Sequence, residues 1–196
     1  MVLECVMLCL DNSDYMRNAD YAPSRLDVQT EAASYIATMK MQANQETSVG
    51  VMAMAGSRAE LLLSPTTDLG HVLAAIQNLR VKGTIALSTA LRTSQLALSH
   101  RLNKHQKQRI IAFTGSPITE NAKDLVKLGK LLRKNNMAVD VISFGEENTE
   151  NENMEKLDQF IKTVNSNDNR QVCLVSVSYA LVEWFLFPLD HIRLLI

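Results

Sequence analysis

Asp11 and Ser13 stand two positions apart where the apolar run from Val2 to Leu10 breaks into Asp11-Asn12-Ser13-Asp14-Tyr15. A carboxylate and a hydroxyl at that spacing are hard oxygen donors, the kind magnesium takes when neighbouring loops complete a near-octahedral set. Thr84, in Lys82-Gly83-Thr84, is a candidate for a further oxygen. The same stretch carries Asn12, Tyr15 and Arg17, with Arg25 close behind, and these residue types also suit protein recognition. Amphipathic rings and guanidinium forks are enriched at interface hot spots. Turn capping by Asp11 and Ser13 without any partner is the plainer alternative. Asp14 and Asp20 are carboxylates that acid-base catalysis could use. No activated nucleophile, paired histidine or phosphate cradle accompanies them, so no enzyme is expected.

Other chemistries are poorly served. The chain has no G-x-G-x-x-G, no G-x-x-x-x-G-K-[ST] and no G-x-S-x-G. Ala55-Gly56-Ser57 and Gly115-Ser116-Pro117 read as strand-end turns. His71, His100, His105 and His191 form no zinc-binding pair, and Cys5, Cys9 and Cys173 are too scattered for a disulfide framework or metal knuckle. No cofactor is expected. His100, Arg101, His105, Lys104 and Lys107 share a basic helix end whose cations complement the helix dipole. With a net charge of −1, no nucleic-acid partner is expected.

The elements that must position these residues follow from hydrophobic pattern. Of 196 residues, 46% are apolar and 21% charged, enough for one domain with a sizeable core. The unalternating run before Asp11 suits a strand buried on both faces of a parallel sheet, which puts Asp11 and Ser13 at its carboxyl edge, where such sheets bind ligands. Ser24 caps a helix reaching about Ala43, with Leu26, Ala33, Ile36, Ala37 and Met41 near helical spacing. Strands are expected over Thr47–Ala55, Arg109–Phe113, Ala138–Phe144 and Gln171–Val177, and Ala59–Leu63 as an antiparallel edge strand. Pro65-Thr66-Thr67-Asp68 reads as a turn and cap before a helix with Leu69, Val72, Leu73, Ile76 and Leu79 on its stripe. Further helices are expected over Thr84 to about Leu102, from Thr119 to Lys134, and over Met154–Val164. The fold class is α/β: a doubly wound, mostly parallel sheet with helices on both faces and one antiparallel edge strand.

Residues 1–178 read as one domain and 179–196 as an apolar tail. Glu183 and Pro188 leave that tail short of the roughly 20 apolar residues a membrane span requires, so a packed helix or a segment foreign to the fold is expected there, and no membrane partner. Met1 leads into an apolar run with no basic segment before it and Glu4 inside it, unlike a secretory leader.

With Asp11-x-Ser13 on the first loop and Thr84 on the second, the chain resembles the von Willebrand factor A fold, whose metal site uses Asp-x-Ser-x-Ser, a Thr and a third-loop Asp. Tyr15 stands at the second serine and Gly115 at the third-loop Asp, so the resemblance implies a degenerate remnant (Asp11, Ser13, Thr84) and no bound metal. The segments D-N-S-x-Y-M-R-N from Asp11, D-Y-x-P-S-R from Asp20, T-S-V-G from Thr47, A-L-R-T-S-Q-L-A-L from Ala90 and Q-R-I-I-A-F-T-G-S-P-I from Gln108 narrow it further. So does the stretch from Arg133 to Gly145. These resemble the von Willebrand A domain of the ubiquitin-receptor subunit family of the proteasome regulatory particle, across about Met1 to Val177. The resemblance implies a non-catalytic scaffold in the cytoplasm and nucleus that links lid and base, with regulatory-particle subunits as partners and Asp11, Asn12, Ser13, Tyr15, Arg17 and Arg25 as contacts. It implies polyubiquitin binding only through short helical motifs beyond this chain. Leu96-Ala97-Leu98-Ser99 lacks their acidic run and reads as core packing. The tail from Tyr179 departs from the family pattern, as a truncated or alternatively ended product would. A metal-dependent adhesion module is the alternative.

Overall fold

The structure is a computed structural model that describes residues 3–145, 150–164 and 174–177. Strands β1 (Glu4–Leu10), β2 (Ser48–Ala53), β3 (Glu60–Thr66), β4 (Lys107–Thr114), β5 (Met137–Phe144) and β6 (Leu174–Val177) form one sheet in the order β3-β2-β1-β4-β5-β6. All neighbours run parallel except β2 and β3. The helices are α1 (Arg25–Ala43), α2 (Leu69–Gln77), α3 (Leu87–Ser99), α4 (Ala122–Lys134) and α5 (Glu150–Val164), with a single 3-10 turn over Asp14–Arg17. The expected α/β class is the one found.

Because side chains alternate across a strand, β1 feeds two cores. Cys5, Met7 and Cys9 pack with Leu91 and Leu98 of α3, Leu125 and Leu128 of α4, and Phe160 of α5. Val6, Leu8 and Leu10 pack with Ala33, Ile36 and Ala37 of α1 and Val72 and Ile76 of α2. Every residue of β1 is buried, which is why its sequence shows no alternation. From β1 the chain passes through α1 to β2 on one side, then crosses from β3 through α2 and α3 to β4 on the other, so a crevice must open between β1 and β4 at their carboxyl ends. Cys9 pairs with Ala112, a register that brings Asp11 level with Thr114.

The helix starts at α1 and α2 are as expected: Ser24 accepts from Asp27 N, and Asp68 from His71 N. Several boundaries differ, among them the start of α5, at Glu150 rather than Met154. α3 begins at Leu87, not Thr84, because Ile85 bridges to Ala55 and Ala86 N donates to Met54 O at 2.9 Å, holding the chain extended. β3 runs on through Pro65 to Thr66, where a turn is expected; an outer edge strand tolerates the missing N–H. α4 opens at Asn121 rather than Thr119. Gln171 to Cys173 and the tail 179–196 lie outside the described residues.

At the amino edge of the sheet a chain of buried charges joins α1 to three strands. Lys40 Nζ lies 2.8 Å from Glu4 Oε2, Arg109 Nε lies 3.0 Å from Glu4 Oε1, and Arg109 also pairs with Asp140. Burial alone would raise the Glu4 carboxyl, but the Lys40 and Arg109 cations outweigh it and hold the group below its ordinary range.

Candidate functional site

Asp11 is the first residue past β1, and its carboxylate is fully buried in the crevice between β1 and β4. Oδ1 accepts from Ser13 N at 2.8 Å, while Oδ2 accepts from Gly115 N at 3.1 Å and Ser116 Oγ at 2.6 Å. The Asp11 backbone is paired as well, its N–H donating to Gln29 Oε1 at 3.0 Å and its carbonyl accepting from Gln29 Nε2 at 2.8 Å. Asn12 ties the first loop to the second: its Nδ2 donates to Arg80 O at 2.8 Å and its Oδ1 accepts from Ala55 N at 2.8 Å. Asp14 N donates to Gly83 O at 2.8 Å, completing that seam.

Arg25 closes the same edge from α1. Its Nη1 donates to Gly115 O at 2.6 Å, and its other nitrogens grip the Asp20 carboxylate. That guanidinium holds the Asp20 carboxyl below the usual range. Tyr21 Oη accepts from Gly145 N at 3.2 Å, and its ring meets Phe144 edge-on. Three strand-end loops and the start of α1 are therefore fastened into one surface.

The six residues expected at a partner interface do converge here, but they divide in two. Tyr15, at 48% exposure, and Arg17 reach the surface on the 3-10 turn. Asp11, Asn12, Ser13 and Arg25 are buried beneath that turn. The polar groups of Asp11, Asn12 and Arg25 are spent on joining the loops, so these residues position Tyr15 and Arg17 instead. The sequence reading missed Gln29 and Met16, and gave Asp20 and Ser116 other roles. Gln29 had a usable signal: it lies four residues from both Arg25 and Ala33, a polar side chain on the buried stripe of α1.

Whether magnesium fits can be judged from the donors themselves. In its favour, Ser13 Oγ is buried without a hydrogen-bond partner. Against it, three of the roughly four lone-pair positions of the Asp11 carboxylate are already taken by protein donors. Thr84 lies exposed in the loop before α3 rather than at a helix start. At the third loop, a Cβ on Gly115 would come within 2.7 Å of Met16 Sδ and 2.9 Å of the Phe144 ring. That space is filled, and among the described residues no group of three acidic, histidine or cysteine side chains could hold a metal. The residues do not fit the ion. Titration of the purified protein with magnesium in a calorimeter should give no binding tighter than about millimolar, the weak end for sites poor in charged ligands.

A sheet wound in opposite directions from β1, with an Asp-x-Ser loop at the reversal, defines a von Willebrand factor A module, and the family model described as "von Willebrand factor type A domain" matches residues 6–117. The chain is 48% identical over 172 residues to the "26S proteasome non-ATPase regulatory subunit 4 homolog" of Arabidopsis thaliana, covering 88% of this chain and 44% of that protein. It is 40% identical over 169 residues to the "26S proteasome regulatory subunit rpn10" of Schizosaccharomyces pombe, covering 86% and 68%. The crystal structure of the SpRpn10 VWA domain matches with a TM-score of 0.81 at 39% identity, covering 90% of this chain and 89% of that one. The chain belongs to the Rpn10, or non-ATPase regulatory subunit 4, family of von Willebrand A proteins. It spans under half the length of the rice and Arabidopsis relatives, 42% and 44%.

Proposed function

We propose that this chain is a non-catalytic docking subunit of the proteasome regulatory particle, linking lid and base in ubiquitin-dependent protein degradation through the surface around Tyr15 and Arg17. The observation that carries this reading is the internal use of Asp11. A carboxylate placed where the fold ordinarily binds an ion instead fixes Ser13, Gly115 and Ser116, bracing a face with an exposed ring and guanidinium. Preorganised aromatic and arginine side chains of that kind dominate association energy. The naming of relatives as proteasome regulatory subunits agrees with it. The two carboxylates considered for catalysis are paired with arginines, Asp14 with Arg17 and Asp20 with Arg25.

Polyubiquitin is proposed as a partner only where helical ubiquitin-binding motifs accompany this domain. In the look-alike stretch on α3, Leu98 is fully buried as expected of core packing, whereas Leu96 is 59% exposed. A cytoplasmic and nuclear setting follows from the same proposal. Among the described residues no helix is long and apolar enough to cross a membrane.

Affinity purification of the tagged protein from cells tests the reading. Regulatory-particle subunits should co-purify with the wild-type chain, and Tyr15→Ala with Arg17→Ala should reduce their recovery by about tenfold or more while leaving the circular dichroism spectrum unchanged. Recovery of no regulatory-particle subunit by the wild-type chain would sink it.

A further inference from the structure

The amino edge of the sheet, opposite Tyr15, carries a cleft of about 430 Å³ between the loop joining α3 to β4 and the end of α4. Arg101, Lys104, His105, Lys107 and Gln108 line it on one side and Asn136 on the other. The loop is held in shape from within. Arg101 donates to the carbonyls of Leu98, Lys104 and Gln106, Lys104 Nζ donates to Ser99 O, and the Gln106 side chain bridges Ser48 and the carbonyl of Glu46.

Those bonds use up Arg101 and Lys104 on the carboxyl end of α3. Lys107 and His105 remain, both exposed and with no side-chain partner among the described residues. Glu4, the sole carboxylate among the lining residues, is already bonded to Lys40 and Arg109, so the cleft presents net positive charge. At the tip of the same loop Leu102 is 100% exposed, the most exposed large apolar side chain among the described residues.

We propose that this cleft is a second docking site, which takes an acidic, leucine-bearing peptide segment of a partner protein. Its carboxylates lie against Lys107 and His105, and an apolar side chain covers Leu102. The charge calls for an anionic ligand, and the apolar tip separates peptide from nucleic acid. Single strands bind chiefly by stacking on large aromatic rings, and the cleft lining contains no Phe, Tyr or Trp. A phosphate backbone also gains nothing from Leu102. With Tyr15 and Arg17 at the far edge, the module then has two faces and can bridge two partners at once.

Fluorescence anisotropy tests this with the purified chain and a short fluorescein-labelled peptide of repeated Glu-Glu-Leu units. Saturable binding that weakens with added salt is expected, and Leu102→Asp with Lys107→Glu should weaken it by about tenfold or more. Should that variant unfold, His105→Ala with Lys107→Ala is the milder comparison, with a several-fold loss expected. Tyr15→Ala should leave peptide binding unchanged, which keeps the result independent of docking at the carboxyl edge. The proposal is overturned by a wild-type chain that does not bind the peptide, or by variants that bind it as well as wild type. Equal or tighter binding of an oligodeoxythymidine, or a sedimenting dimer that excludes the peptide, overturns it too.

Discussion

Asp11→Ala should lower the unfolding free energy by about 3–5 kcal/mol, because it strips three hydrogen bonds from a buried carboxylate and orphans two buried backbone donors. Ser13 N, Gly115 N and Ser116 Oγ all lose their acceptor at once. For a domain of this size the melting temperature should fall by roughly 10 °C or more. Loss of docking should follow from disorder of the 3-10 turn rather than from a missing contact, since Asp11 never reaches the surface. Urea denaturation distinguishes the two: a change within about 0.5 kcal/mol, typical of an exposed residue, would show that Asp11 is a surface ligand after all.

Glu4→Gln should be comparably severe, about 3–5 kcal/mol, for an electrostatic reason. The substitution removes the carboxylate that lies 2.8 Å from Lys40 and 3.0 Å from Arg109, all three being buried. Arg109 keeps Asp140, whereas the Lys40 ammonium is left buried without its counter-charge. Adding Lys40→Met should therefore recover part of the loss, a non-additivity that a double-mutant cycle would read directly. The acid limb provides a separate check. The folded-state pKa of Glu4 is depressed, so its stabilising contribution is complete above its ordinary 4.5 and fades as pH drops below that through the lowered value. Melting temperature plotted against pH should fall less steeply on that limb in Glu4→Gln than in wild type, and parallel curves would refute the assignment.

The central strand and the position of Asp11 were legible because burial on both faces leaves an unbroken apolar run that ends abruptly in polar residues. The helix caps at Ser24 and Asp68 were legible because capping is local chemistry. What was not legible is the direction in which a polar side chain turns. Asp11, Asn12 and Arg25 have the types expected at an interface, but their partners, Gly115, Ser116, Arg80 and Ala55, lie far along the chain, and only the assembled sheet brings them within reach. The stripe on α1 shows the same limit. Arg25, Gln29 and Lys40 are buried on it beside Ala33 and Ile36 because each meets a polar group at an edge of the sheet, and apolar periodicity marks at most their positions, not those partners. The start of α3 was misplaced for a related reason: the bridge from Ile85 to Ala55 is non-local.

The packing of Met16 and Phe144 against Gly115 bears on how this surface can change. An aspartate introduced at Gly115 would meet both side chains before it could face a cation, since the Cβ alone approaches to 2.7 and 2.9 Å. Restoring an ion site requires at least Met16 and Gly115 to change together, and either change alone yields only a cavity or a clash. A single substitution at Gly115 therefore cannot supply the third-loop carboxylate, and the packing beneath Tyr15 and Arg17 is what stands in its way.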